Sequence, residues 1–245
     1  MDNNRITLTT TTIVRALVVA CGVLVAASLA GQMVKYWGGR PYVYGLVPKF
    51  YLADERNLPT MFAVFLHSIA AVLLALIAVL KRRERDPYAA RWKLLAIGFL
   101  CMAVDEGAEL HELFKLPFQQ LLGGGQLGIF NFAWVIPFGV LVIGLAVYFA
   151  TFVWSLPRST GLRFLLAGAL FVGGALGFEL IEGAYAEVHG VRNVTYMLLA
   201  TVEETLEMAG VIVFILAVLK YIEAHYPAVT VNFGRMTHEE QAAPR

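Results

Sequence analysis

Ten carboxylates sit inside or at the ends of segments that are otherwise apolar enough to cross a bilayer. Asp105, Glu106, Glu109 and Glu112 fall in one segment, Glu179, Glu182 and Glu187 in a second, and Glu203, Glu204 and Glu207 in a third. An ionised carboxylate at mid-bilayer costs roughly 2.5–3.5 kcal/mol on insertion scales, so ten of them need compensation. Protons, a metal ion or cationic partners can supply it. Cations are scarce in these segments: Lys115 and Arg192 lie at outer ends and Arg163 at an inner one. Carboxylates with a few imidazoles are a ligand set suited to iron, manganese or zinc.

Helical periodicity sharpens the set. At 100° per residue, Asp105, Glu109 and Glu112 fall within about 60° of one another, with Glu106 displaced by roughly a further 60°. His111 points elsewhere, about 100° from Glu112. Glu179 and Glu182 are one turn apart, and Glu203, Glu204 and Glu207 share an arc of about 100°. His67 lies ~12 Å inside the outer boundary of its span, level with Glu203 and Glu204. The expected metal ligands are Glu109, Glu182, Glu204 and Glu207. Asp105, Glu179, Glu106 and Glu203 are further ligands or proton relays, and His111 and His67 are terminal ligands or groups that orient a ligand. Plainer roles compete. His67 also fits a satisfied core histidine, and Glu112, Glu187 and His189 fit wetted surface positions. Pairs of Glu three apart resemble carboxylate-bridged two-metal sites in helical bundles, but the Glu-x-x-His of those sites does not occur here. No nucleophilic triad, phosphate loop or haem-type histidine pair is visible.

The elements that must carry these residues follow from composition. The chain has 245 residues, is 59% hydrophobic and 15% charged, with a mean hydropathy of +0.68. That excludes an ordinary soluble domain and fits an all-α polytopic membrane protein. A net charge of +1 gives no hint of nucleic-acid binding. Cys21 and Cys101 stand alone in separate apolar runs, which excludes a disulfide framework or a zinc knuckle.

Six transmembrane helices are expected near 13–34, 59–80, 93–115, 129–156, 162–185 and 194–222, forming one domain over 1–222 with a cytoplasmic polar tail over 223–245. The first run is long for a signal-peptide core and is taken as an uncleaved span, although Ser28-Leu29-Ala30 resembles a cleavage site. Lys81-Arg82-Arg83-Glu84-Arg85, Arg91 and Lys93 join spans two and three, and Arg158 and Arg163 flank the next inner loop. The positive-inside rule then puts both termini in the cytoplasm and all three acidic clusters in the outer half of the bilayer. The aromatic outer loop 35–58 is expected to form an interfacial belt or lid, with Asp54–Pro59 over the site. Leu116–Gly128, with Pro117 and Gly123-Gly124-Gly125, is expected to be a non-helical outer connection. The glycines Gly173, Gly174, Gly177 and Gly183 are expected to permit close helix packing.

The strings Asp105-Glu106-x-x-x-x-His111-Glu112 and Glu203-Glu204-x-x-Glu207-Met208-x-Gly210, with Asp54-x-x-Asn57-x-Pro59, resemble those of a set of uncharacterised bacterial multipass membrane proteins. The likeness covers spans two to six. It implies a bacterial inner-membrane location and the same helical architecture, and it implies no activity.

The residues point first to an outward-opening carboxylate/histidine site for one or two divalent metal ions. If it is catalytic, metal-assisted redox or hydrolytic chemistry on a lipid-soluble substrate fits. A proton-coupled cation transporter or channel is the second reading. It is disfavoured by apolar inner halves such as Ile69–Leu80 and Val135–Phe149, which offer an ion no stepping-stones. A non-catalytic subunit or assembly factor is the third.

Overall fold

The computed structural model describes residues 9–226. Its elements are helices throughout, among the described residues: α1 (Thr10–Tyr36), α2 (Leu46–Phe50), α3 (Leu58–Arg83), α4 (Ala89–Ala108), α5 (Lys115–Leu121), α6 (Val135–Ser155), α7 (Arg158–Val172), α8 (Glu179–His189) and α9 (Val194–His225). Between α7 and α8 the chain keeps winding as a six-residue π stretch, Gly173–Phe178, so Arg158–His189 is one continuous rod.

Five helices are long and apolar enough to span a membrane: α1, α3, α6, the rod Arg158–His189 and α9. The helix α4 has 20 residues, about 30 Å at 1.5 Å per residue. It falls outside that group because Arg91 and Lys93 near its start and Asp105 and Glu106 near its end interrupt its apolar run. It packs along the length of α3. Most helices exceed the expected limits by a few residues, because charged and polar ends such as Lys81–Arg83 continue the winding beyond the apolar stretch. Two are shorter than expected. The segment 93–115 stops being α-helical at Ala108, and 129–156 begins only at Val135, after a turn at Gly128–Phe130. Most of the tail expected over 223–245 lies outside the described residues; its first residues, Glu223–His225, complete α9.

The central element is α9, against which α1, α3 and α7 all pack. Its C-terminal half carries most of its buried residues, with Ile215, Ala217 and Val218 fully enclosed against Leu66, Leu74 and Ile77 of α3. Trp92 closes the end near the α3–α4 connection, edge-on to Phe152 of α6 at 5.0 Å and tilted against Tyr221 of α9 at 4.9 Å. By contrast, α6 turns Val140, Ile143, Val147 and Trp154 outward. An apolar face this exposed fits lipid as its neighbour.

The loop between α1 and α3 is organised by one side chain. Asn57 caps α3 by accepting from Thr60 N, while its amide nitrogen donates to the carbonyls of Tyr51 and Asp54, both at 2.6 Å. Pro59 sits in the first turn, where its missing N–H costs nothing. Leu52 N donates to the buried Ser28 Oγ of α1 at 3.1 Å, which ties the loop down on the other side.

Candidate carboxylate site

Two glycines bring the site together. A Cβ on Gly174 would meet Glu203 O of α9 at 2.8 Å and Glu207 Cγ at 3.0 Å, and one on Gly210 would meet Phe171 N at 2.7 Å. Only hydrogen fits at either place, so the α7 rod and α9 touch backbone to backbone. Gly183 allows a similar approach to Ile129 O, whereas Gly173 faces open space. The π stretch then winds an extra residue into its turn, which rotates everything beyond it relative to the face that α7 presents. Glu179 and Glu182 are the first acids past that shift.

The result is a compact group. Single carboxylate oxygens of Glu179, Glu182 and Glu203 all lie within 4.8 Å of one another. Glu182 is 1% exposed and Glu203 9%, with Glu179 half-buried. Trp134 donates its indole N–H to Glu179 Oε1 at 2.9 Å, fixing that carboxylate. A hydrogen bond to an ionised group contributes about 1.5–3 kcal/mol. Tyr196 also packs beside the group, its hydroxyl facing Glu182. One oxygen of Glu182, Oε1, is buried and has no hydrogen-bond partner among the described residues.

Glu204 and Glu207 sit half-buried on the same helix as Glu203, within electrostatic reach of Glu106 on α4. They continue the run of carboxyl groups from the three-carboxylate group toward α4. Beyond them His67 is 3% exposed, with Nδ1 on the Ala63 carbonyl at 2.9 Å and Nε2 unpartnered. Its ring is held by Phe99 and Phe171.

The acids after Ala108 are spoken for differently. Asp105 accepts from His111 N at 2.8 Å and faces His111 Nδ1 at 3.0 Å, folding the chain back at the end of α4. Glu109 adopts φ +57°, so Asp105, Glu109 and Glu112 do not share one helical face. Glu109 instead receives a bidentate pair from Arg56 of the outer loop, at 2.5 and 2.9 Å. Glu112 pairs with Lys115 at 3.3 Å. Glu187 accepts the backbone N–H groups of Leu127 and Gly128 at 2.6 and 2.9 Å, which anchors that loop. His189 is exposed and stacks on Tyr185.

The lid expected from Asp54–Pro59 rests on the end of α4, with Glu55 Oε1 3.9 Å from His111 Nε2. Burial pushes the Glu55 carboxyl up to about 7, helped by neighbouring Glu109. The hydrogen bond from Glu55 and the Arg56 guanidinium hold Glu109 below its usual value. Burial works against the charged form of His111, yet the Asp105 carboxylate more than offsets it and raises the imidazole. The His111 ring lies 5.0 Å from that of Trp134, so the lid reaches the carboxylate group through two rings, His111 and Trp134.

Trp134, Tyr196 and the Arg56–Glu109 pair are site features that no sequence pattern announces. The glycine-rich run Gly173-Gly174-Ala175-Leu176-Gly177, just before Glu179, was the available signal for the π stretch. Compared with curated proteins and with solved structures, the chain matches none. A family described as a domain of unknown function (DUF8692) matches residues 16–222, from early in α1 to near the end of α9, and the chain belongs to that family.

Proposed function

We propose that this protein is a six-helix integral membrane protein of a bacterial inner membrane that binds a divalent cation through Glu179, Glu182 and Glu203, in the outer half of the bilayer. The sixth span is α4, whose 30 Å length and side-by-side packing on α3 support a crossing. Basic residues at the α3–α4 connection support cytoplasmic termini.

The observation that carries the reading is the Glu182 carboxylate: 1% exposed, one oxygen without a donor, and two further carboxylates within 4.8 Å. A buried polar atom left unpaired costs about 1–3 kcal/mol, and more when it is charged. A proton can be shared by two of these groups, whereas a cation bridges all three at once. Glu204, Glu207 and Glu106 lie beside the same place and extend the cation's choice of ligands. The sealed inner core of Leu74, Ile77, Ile215 and Val218 favours a one-sided site over a conduit, because it leaves no polar path to the inner surface.

The test is equilibrium calorimetry with Mn2+ on chelator-treated protein in mild detergent. Saturable binding at a fixed stoichiometry, abolished in the Glu182→Gln/Glu203→Gln variant, is the expected outcome. Equal binding by a folded double variant would overturn the reading.

A further inference from the structure

We infer that the site selects hard, oxygen-preferring cations of the Mn2+ and Ca2+ kind over zinc, which rests on the cation-binding reading above and names its ligand class. The donor set carries the argument. All three converging side chains are carboxylates, and neither an imidazole nor a thiolate belongs to the group. The two histidines that the sequence offered lie outside the group: His111 pairs with Asp105, and His67, whose Nε2 is unpartnered among the described residues, bonds the Ala63 carbonyl through Nδ1 between Phe99 and Phe171. Cys21 is buried in the apolar core, and Cys101 is exposed on α4.

The second, independent observation is the buried Glu182 Oε1 without a hydrogen-bond partner. It stands free to take an ion, whereas Glu179 Oε1 is already held by Trp134. Three glutamates supply at most six oxygens, and that one bond withdraws part of the supply. Carboxylate, carbonyl and water oxygens suit magnesium, calcium and manganese, whereas zinc is typically held by cysteine or histidine in tetrahedral geometry.

The experiment is electron paramagnetic resonance of Mn2+ titrated into the intact, chelator-treated protein, followed by competition with Ca2+ and then Zn2+. Binding removes the sharp six-line signal of free aqueous Mn2+, and displacement restores it. The expected result is that Ca2+ restores the signal with a dissociation constant within about tenfold of that for Mn2+. Stoichiometric displacement by Zn2+, with no response to about a thousandfold excess of Ca2+, would overturn the hard-cation inference and leave the cation site standing. An undiminished free-Mn2+ signal at all protein concentrations would instead overturn the cation site itself. Glu182→Gln should weaken Mn2+ binding at least tenfold, a loss of about 1.4 kcal/mol, while Glu187→Gln, whose carboxylate holds a loop, should not.

Discussion

Replacing Gly174 by alanine tests whether the π stretch and α9 meet as closely as the site requires. The new Cβ would stand 2.8 Å from Glu203 O, 3.0 Å from Glu207 Cγ and 3.2 Å from Glu207 N. Two of these three neighbours are backbone atoms, which cannot swing aside as a flexible side chain can. Reaching the 3.4 Å at which ordinary contact begins requires α9 to retreat by about 0.6 Å, an overpacking strain that costs about 1–3 kcal/mol. For a chain of this size that corresponds to a fall in melting temperature of roughly 2–12 °C. Because Glu203 itself is pushed away from Glu179 and Glu182, cation affinity should fall by up to the same free energy, about 5- to 150-fold. The control is Gly168→Ala on the same rod, where a Cβ meets nothing within 4 Å. Exchange of glycine for alanine in a helix should there be neutral or stabilising by up to about 1 kcal/mol. Thermal unfolding followed by circular dichroism, with a cation titration on each variant, gives both readouts. If Gly174→Ala melts together with Gly168→Ala and binds as tightly, the close approach and its link to the site are refuted.

Other perturbations probe the outer loop. Asn57→Ala removes the cap of α3 and two carbonyl contacts of a residue that is 4% exposed, and should cost about 0.5–2 kcal/mol by thermal unfolding; unchanged stability would contradict its role as the organiser of the loop. The Glu55 carboxyl is raised from its ordinary 4.5 to about 7. Its contribution to stability is therefore present below the unfolded value and lost as pH rises through about 7. Melting temperature should fall between pH 5 and 8 and fall less in Glu55→Gln, whereas parallel profiles would rule out Glu55 as the source. Arg56→Ala removes a pair whose guanidinium is 78% exposed, so it should change stability by no more than about 1 kcal/mol; a larger loss by the same assay would show that the lid is held mainly by that pair.

Convergence of acids from separate spans was legible in the sequence because charge in an apolar segment must be compensated, whatever the fold. That logic ranks Glu182 among the first ligands and Glu179 and Glu203 among the further ones, and these three meet, whereas Glu109, also ranked first, pairs with Arg56. Which acids stay out was not legible. The stretch Leu110–Leu116 has ordinary helical residues, and nothing in its spacing announces that Asp105 will turn back onto His111 and stop α4 at Ala108. Face arithmetic beyond that point presumed a continuing helix, so Glu109 and Glu112 were grouped with Asp105. Trp134 precedes an apolar run as many interfacial tryptophans do, and its bond to Glu179 depends on a tertiary approach that no local pattern encodes. Glycines at a helix contact were foreseen, but which of them touches was decided by the partner's backbone. The tie of Asn57 was visible only as a capping residue before Leu58-Pro59, since its carbonyl partners depend on how the loop closes.

The central claim is that the carboxylates of Glu179, Glu182 and Glu203 take up a cation together. Infrared difference spectroscopy of the protein in detergent, with and without Mn2+, reads those carboxylates directly. The account predicts paired shifts in the antisymmetric and symmetric carboxylate stretches on adding the ion, lost in Glu179→Gln/Glu182→Gln/Glu203→Gln. A spectrum that does not change with the ion, or a change that survives in the triple variant, would contradict it.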